Sequence, residues 1–291
     1  MISLLRFYDS LWPPLHAVIL NIPPSRLPLF PSLAGAAWFV TLAGLILTWI
    51  AHGTPQYPGQ SNPDVAFISD IASFQLKPLF LIGTSITAVC FVITVAAVHV
   101  VRYEPGFALV RCPGYNEDDM IDNNDNGINE TNNSNDDDDI DEEDDNIAKT
   151  LRVISLLSIF AAGVASTALI LLAIMDTFRY HHAHKFFLRI CFAGLALQAA
   201  GTAIVYANEV VGFVYFLYNG GRWQHNWGNR SLRVRVFASL STGLILLEVF
   251  LGAAFIALEE DRSYRTAGIL EWIIAFLGTG YLWLFCGFFD R

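Results

Sequence analysis

The sequence predicts an all-α polytopic membrane protein with six transmembrane helices and both termini in the cytosol. Three observations predict it. Hydrophobic residues make up 54% of the 291-residue chain and charged residues only 15%, against about a quarter charged in an average soluble domain. The apolar residues gather into long runs, each near the roughly 20 residues that a helix needs to cross about 30 Å of hydrocarbon. None of these runs alternates apolar with polar as a barrel strand does, and lipid admits only helices or closed barrels because every backbone amide must be satisfied within the protein.

The chain opens on an arm, residues 1–32, whose apolar patch from Leu11 to Ile22 is interrupted by Pro13 and Pro14 and stopped by Pro23 and Pro24. No small-residue cleavage site follows, so the arm reads as an interfacial segment rather than a signal peptide. The six runs are Leu33 to Ala51, Pro78 to Val101, Leu151 to Met175, Phe186 to Val211, Val236 to Leu258 and Gly268 to Phe289. In the fourth, Asn208 and Glu209 intervene before Val210 to Tyr218 resumes, and its helix is expected to extend beyond the bilayer. Three regions follow the arm: residues 33–115 carry the first two spans and a Pro-, Gly-, Ser- and Asn-rich loop from His52 to Lys77, residues 116–147 form an acidic insert, and residues 148–291 carry the other four spans.

The formal charge of −10 comes almost wholly from the stretch Asn116 to Asp145, and the remainder is mildly basic. The pI near 5 is therefore a local property and gives no indication of nucleic acid or acidic substrates. With Asp136 to Asp139 and Asp141 to Asp145 almost contiguous, the insert buries too little apolar surface to fold and is expected to be disordered. With the N-terminus inside, eleven Lys and Arg fall in inner segments (Arg6, Arg26, Arg102, Arg111, Lys149, Arg152, Arg222, Arg230, Arg233, Arg235, Arg291) and six in outer ones (Lys77, Arg179, Lys185, Arg189, Arg262, Arg265). That asymmetry sets the expected orientation. The sequons at Asn129, Asn132 and Asn229 then lie on the cytosolic side, and a glycan on any of them would invert the topology.

Cys90, Cys191 and Cys286 fall in apolar runs, where a free thiol acts as a small hydrophobe; Cys112 follows the second span, where plain exposure is favoured over palmitoylation. No disulfide framework, phosphate-binding loop, nucleophile elbow, HExxH or CxxC pair occurs. His181, His182 and His184, with Asp176 nearby, could ligate zinc, but catalytic zinc draws ligands from separated elements, so no metal or other cofactor is expected. Glu248, near the middle of the fifth span, marks either a transport pathway or a protonated tie between helices, with Gln198 the expected partner and Thr84, Ser85 or Thr87 within range. Glu271 and Trp272 open the sixth run, where a helix dipole and an aromatic belt account for them. Arg222, Arg230, Arg233 and Arg235, interleaved with Trp223 and Trp227, form a juxtamembrane cluster expected to attract anionic lipids.

Leu27-Pro28 before the first span, Ile68-Ser69-Asp70 in the first loop, Pro78 and Phe80 opening the second span, Asp176 to His184 leading into Phe186 and Phe187, and Glu271-Trp272 occur in order over nearly the whole chain. In this the chain resembles the six-span family of damage-regulated autophagy modulators, FRAG-type anchor-remodelling factors and fungal SFK-type plasma-membrane proteins. It departs from the family pattern at Ile71-Ala72-Ser73, where a glycine is usual, and in the acidic insert. The resemblance implies a non-enzymatic regulator or scaffold in contact with membrane lipids. The Asn/Asp-rich tract favours the SFK-type branch, which implies a phosphatidylinositol 4-kinase complex as partner and the plasma membrane as location. The other branches imply GPI-anchor lipid remodelling in the Golgi or endoplasmic reticulum, with Asp70, His181, His184 and Glu271 converging at one outer face, or autophagy at the vacuole or lysosome.

Overall fold

The computed structural model describes residues 12–60, 62, 64–102, 137–219 and 232–289; Cys112, the three sequons, Arg222 and Arg230 lie outside them. Within the described residues every regular element is helical: α1 (residues 12–20), α2 (Leu29–Ala51), α3 (Ile68–Ile71), α4 (Lys77–Val101), α5 (Asp137–Ile174), α6 (His181–Val205), α7 (Ala207–Tyr218), α8 (Leu232–Glu260) and α9 (Tyr264–Leu284). Short 3-10 turns at Pro24–Arg26 and Phe285–Phe289 precede α2 and follow α9. Six of these helices, α2, α4, α5, α6, α8 and α9, are long and apolar enough to span a membrane. Helix α3 and the loops after α5 and α8 lie at one end of the bundle, the loop end. Helices α1 and α7, with the 3-10 turn after α9, lie at the other, the termini end.

The spans pack as a ring. Neighbours in sequence make antiparallel pairs, α2 with α4, α4 with α5, α5 with α6 and α8 with α9, and α2 also packs on α9, bringing the first and last spans together. Close approach needs small residues, because lipid supplies no hydrophobic drive between helices and contact rests on dispersion and hydrogen bonds. Gly83 of α4 lies against Thr41 of α2, and Gly194 and Gly201 of α6 lie against Ala165 and Ser158 of α5. A side chain at any of these three glycines would collide with its neighbour. The outward faces carry large apolar side chains, such as Leu47 at 63% exposure and Phe250 at 70%, which suits contact with acyl chains.

The arm is joined to the bundle: Ile19 and Leu27 are buried, in one core with Phe91, Val95, Val98, Phe285 and Phe288. Helix α5 begins at Asp137, inside the acidic tract, so the last turns of that tract are helical where disorder is expected. A span already formed propagates outward without a new nucleus, and acidic residues are favoured near a helix N-terminus. The fourth run does not continue as one helix: it breaks at Tyr206 (φ −102°, ψ 17°) between α6 and α7. The break lets Tyr206 and Glu209 turn into the bundle, where the phenol donates to the Val98 carbonyl at 3.1 Å and the carboxylate meets Arg102.

Candidate functional site

Two groups of polar side chains stand out against the apolar bundle. The first lies at the loop end, where the segment after α2 folds back onto the start of α9. Gly53 and Gly59 hold positive φ of 73° and 83° there, conformations that cost glycine nothing. Asn62 is fully buried; its Oδ1 accepts the amides of Asp64 and Val65, and its Nδ2 donates to the Tyr264 carbonyl at 2.7 Å. Trp272 donates its indole N–H to the Ala66 carbonyl at 3.0 Å. Successive amides entering α3 are then taken by two carboxylates: Phe67 N–H donates to Asp70 Oδ2 at 3.1 Å and Ile68 N–H to Glu271 Oε2 at 2.9 Å. Asp70 is 4% exposed, and burial pushes its carboxyl up to about 6 against the opposing pull of the Phe67 amide. Tyr57 of the same loop is also raised, first by burial and then by the Asp70 charge.

Two sequence expectations change here. Glu271 does not sit in the first turn of its helix, because α9 begins at Tyr264, so the dipole does not explain it; the Ile68 amide does. Trp272 is buried at 6% exposure and is a tie between α9 and the loop, with no place in a lipid-facing belt. Pro78 opens α4 as expected of a residue lacking an amide donor, while Ser69 contributes its carbonyl to the Ser73 hydroxyl.

Beside this group, Asp176 binds the Lys77 ammonium at 3.1 Å and accepts the Arg179 amide at 2.8 Å, closing the turn after α5 against the start of α4. Burial raises its carboxyl, and the Arg179 amide with Lys77 outweighs this, leaving it below the ordinary value. His184 is buried and bonds through Nδ1 to the Met175 carbonyl at 2.8 Å; His181 and His182 are exposed. The convergence of Asp70, His181, His184 and Glu271 is not found: among the described residues no hydrogen bond or ion pair joins the carboxylates to the histidines, and no group of three or more His, Cys, Asp or Glu forms a metal site.

The second group runs inside the bundle toward the termini end. Tyr281 of α9 donates to Gln198 Oε1 at 3.1 Å, Gln198 Nε2 donates to Thr202 Oγ1 at 2.9 Å, and Thr202 lies 3.1 Å from His99 Nε2 of α4. Three spans are thereby hydrogen-bonded through buried side chains. Glu248 does not reach Gln198 directly; it faces Tyr281, which also has Ser241 as a hydrogen-bonding neighbour, and its Oε1 is buried without a hydrogen bond. Thr84, Ser85 and Thr87 are used elsewhere: Thr84 and Ser85 bond back to carbonyls of their own helix, and Thr87 donates to Ala34 of α2. One turn further, Arg102 and Glu209 pair at 3.1 Å. Arg102 belongs inside the bundle and Arg235 is 4% exposed, so neither is the surface charge that its position beside a span suggests. Arg233 is exposed and lies 5.8 Å over the Phe237 ring.

Sequence reasoning missed His99, Thr202, Tyr281, Arg102 and Asn62. The interruption at Asn208-Glu209 was the signal for the Arg102 partner, since a carboxylate so close to a span needs a counter-charge.

A family model described as the Frag1/DRAM/Sfk1/Cwh43P N-terminal domain matches residues 26–290. The chain belongs to this family. Its six membrane-crossing helices all fall within the match or at its border, and so do both polar groups. As a member of the Frag1/DRAM/Sfk1/Cwh43P family it is an integral membrane protein. The curated proteins give no match, and neither do the solved structures.

Proposed function

We propose that this Frag1-family protein is a non-enzymatic scaffold of the plasma membrane that supports a phosphatidylinositol 4-kinase complex and organises lipid around its bundle. The observation that carries the reading is the use to which the polar side chains are put. Asn62 and Trp272 hold a loop to α9, Asp176 and His184 hold a turn, and Gln198, Thr202, Tyr281 and His99 hold three spans together. Side chains engaged in this way favour a fixed platform over a site that must bind and turn over substrate. In the proposed orientation both termini face the cytosol, and Arg233, with Arg222 and Arg230 near it in sequence, meets the anionic inner leaflet at about 1 kcal/mol per basic side chain.

The test is the amount of phosphatidylinositol 4-phosphate and of its kinase at the plasma membrane, read with fluorescent sensors in cells with and without the protein. A fall on deletion, reproduced by neutralising Arg222, Arg230 and Arg233 together, is the expected result. Unchanged phosphoinositide with the tagged protein in Golgi or vacuole would overturn it in favour of anchor remodelling or autophagy.

A further inference from the structure

We propose that Asp70 and Glu271 form a proton-operated latch, which holds the first loop against α9 in acid and loosens it as pH rises toward neutrality. The two carboxylates come from elements far apart in sequence, yet they accept the amides of adjacent residues, Phe67 and Ile68, and lie close enough to interact electrostatically. Placing two carboxylates on one peptide segment brings like charges together in a site with little solvent, and such a pair retains a proton more readily than either group alone. Hydrogen bonding does not require both to be ionised: a carboxylic acid keeps a carbonyl oxygen able to accept an amide while its own hydroxyl can bridge to the other carboxylate.

The charged surroundings do not neutralise the pair. From the loop comes Tyr57, a phenol that is neutral in this range; from α8 comes Glu259, whose charge is met by Lys185 of α6 at 2.9 Å. No Lys or Arg among the described residues bonds to Asp70 or Glu271. Of the basic side chains at this end, Lys77 and Arg179 are drawn to Asp176 instead, Lys185 to Glu259, and Arg262 and Arg265 are exposed. The sense of the response follows from Asp70. Its value in the folded protein, about 6, lies above the ordinary 3.8, so the folded latch holds a proton that the released loop would give up. The latch is therefore tightest below about 4 and weakens as pH rises through about 6. The ties from Asn62 and Trp272 contain no group that titrates in this range, so they retain the base of the loop while α3 moves.

The latch rests on contacts within the chain and is independent of the scaffold reading. It is tested with the full chain in lipid nanodiscs, carrying a nitroxide in α3 at Ser69→Cys with Cys112 and Cys286 replaced by alanine. Label mobility is followed by electron paramagnetic resonance from pH 4.5 to 8. The expected result is a restricted label in acid and a growing mobile component with its midpoint near pH 6. Asp70→Asn, which keeps an acceptor but cannot ionise, should hold the label restricted across the whole range, and Glu271→Gln should remove most of the transition. Mobility that does not change with pH in the unmodified site, or a transition that persists in both variants, would overturn the proposal.

Discussion

Arg102 and Glu209 form an ion pair inside the bundle, with Nη1 and Oε1 3.1 Å apart and side-chain exposures of 5% and 1%. Arg102 follows the last turn of α4 and Glu209 lies in the first turn of α7, so the pair fastens the broken fourth run to the end of the second span. The guanidinium also lies 4.4 Å from the Tyr206 ring centre, over the residue at which the helix breaks. The break in the chain and the charge that compensates it are thus one feature.

Removing either partner breaks this buried pair, which costs about 3–5 kcal/mol. Arg102→Met and Glu209→Leu should each lower the unfolding temperature in detergent sharply. The double variant should recover much of the loss, because an apolar pair of similar volume needs no desolvation. A double variant as unstable as the sum of the singles would mean that the two residues act separately.

The chain from Tyr281 through Gln198 and Thr202 to His99 carries a smaller energy, spread over three spans. Interhelical hydrogen bonds in membranes contribute about 0.6 kcal/mol on average and up to about 1.7. Tyr281→Phe removes the donor to Gln198 while preserving ring packing on Phe285, whose centroid is 5.0 Å away. It should cost about 1 kcal/mol by chemical denaturation. Tyr281→Phe combined with Gln198→Leu should cost less than the two added together, since the first change already leaves Gln198 Oε1 without its donor. Additive losses would remove the coupling.

What the sequence revealed and what it concealed divide along physical lines. Span length and hydropathy are local, so all six crossing helices were legible, with ends shifted by a few residues. Asp70 and Glu271-Trp272 were singled out, but their relation was not, because Ile68 and Glu271 are joined across the fold by a backbone amide that no pattern encodes. His99 and Tyr281 looked like ordinary members of apolar helices; only rotation about the helix axis decides whether such a residue meets a partner or lipid. Charge position misled in the same way. In sequence Arg102 counts among the inner-side charges and Arg235 belongs to the lipid-attracting cluster, yet both are 4% exposed, because a long cation beside a span can turn inward.

Two glycines in the α5–α6 pair should respond oppositely to alanine. A Cβ on Gly194 would lie 2.9 Å from that of Ala165 and 3.1 Å from the Ala161 carbonyl oxygen, and backbone cannot yield as a side-chain tip can. Gly194→Ala should therefore cost about 1–3 kcal/mol. Gly163 has nothing within 4 Å of that position, so Gly163→Ala should leave stability unchanged or raise it by up to about 1 kcal/mol through helix propensity. Thermal unfolding of both variants in one detergent decides the matter, and equal losses would show that proximity at Gly194 is not what limits the packing.

Asp176 should give the loop end a pH response opposite in sign to that of Asp70. Its carboxyl, bonded to Lys77 and the Arg179 amide, is held below the ordinary 3.8, so the folded state favours the ionised form. Its contribution is complete above that ordinary value and is lost as pH falls through the lowered one. Asp176→Asn should thus reduce stability by a constant amount at every pH from neutrality down to about 4, on the order of 1 kcal/mol given the partial exposure of Lys77. The difference from the unmodified protein should then close as the medium becomes more acid. Lys77→Met should reproduce part of the loss at neutral pH and narrow the acid-dependent difference, because it removes one of the interactions that depress the carboxyl. Unfolding curves collected from pH 3 to 7 test both statements. A deficit in Asp176→Asn that widened on acidification would reverse the assigned sign and place the dependence on another group.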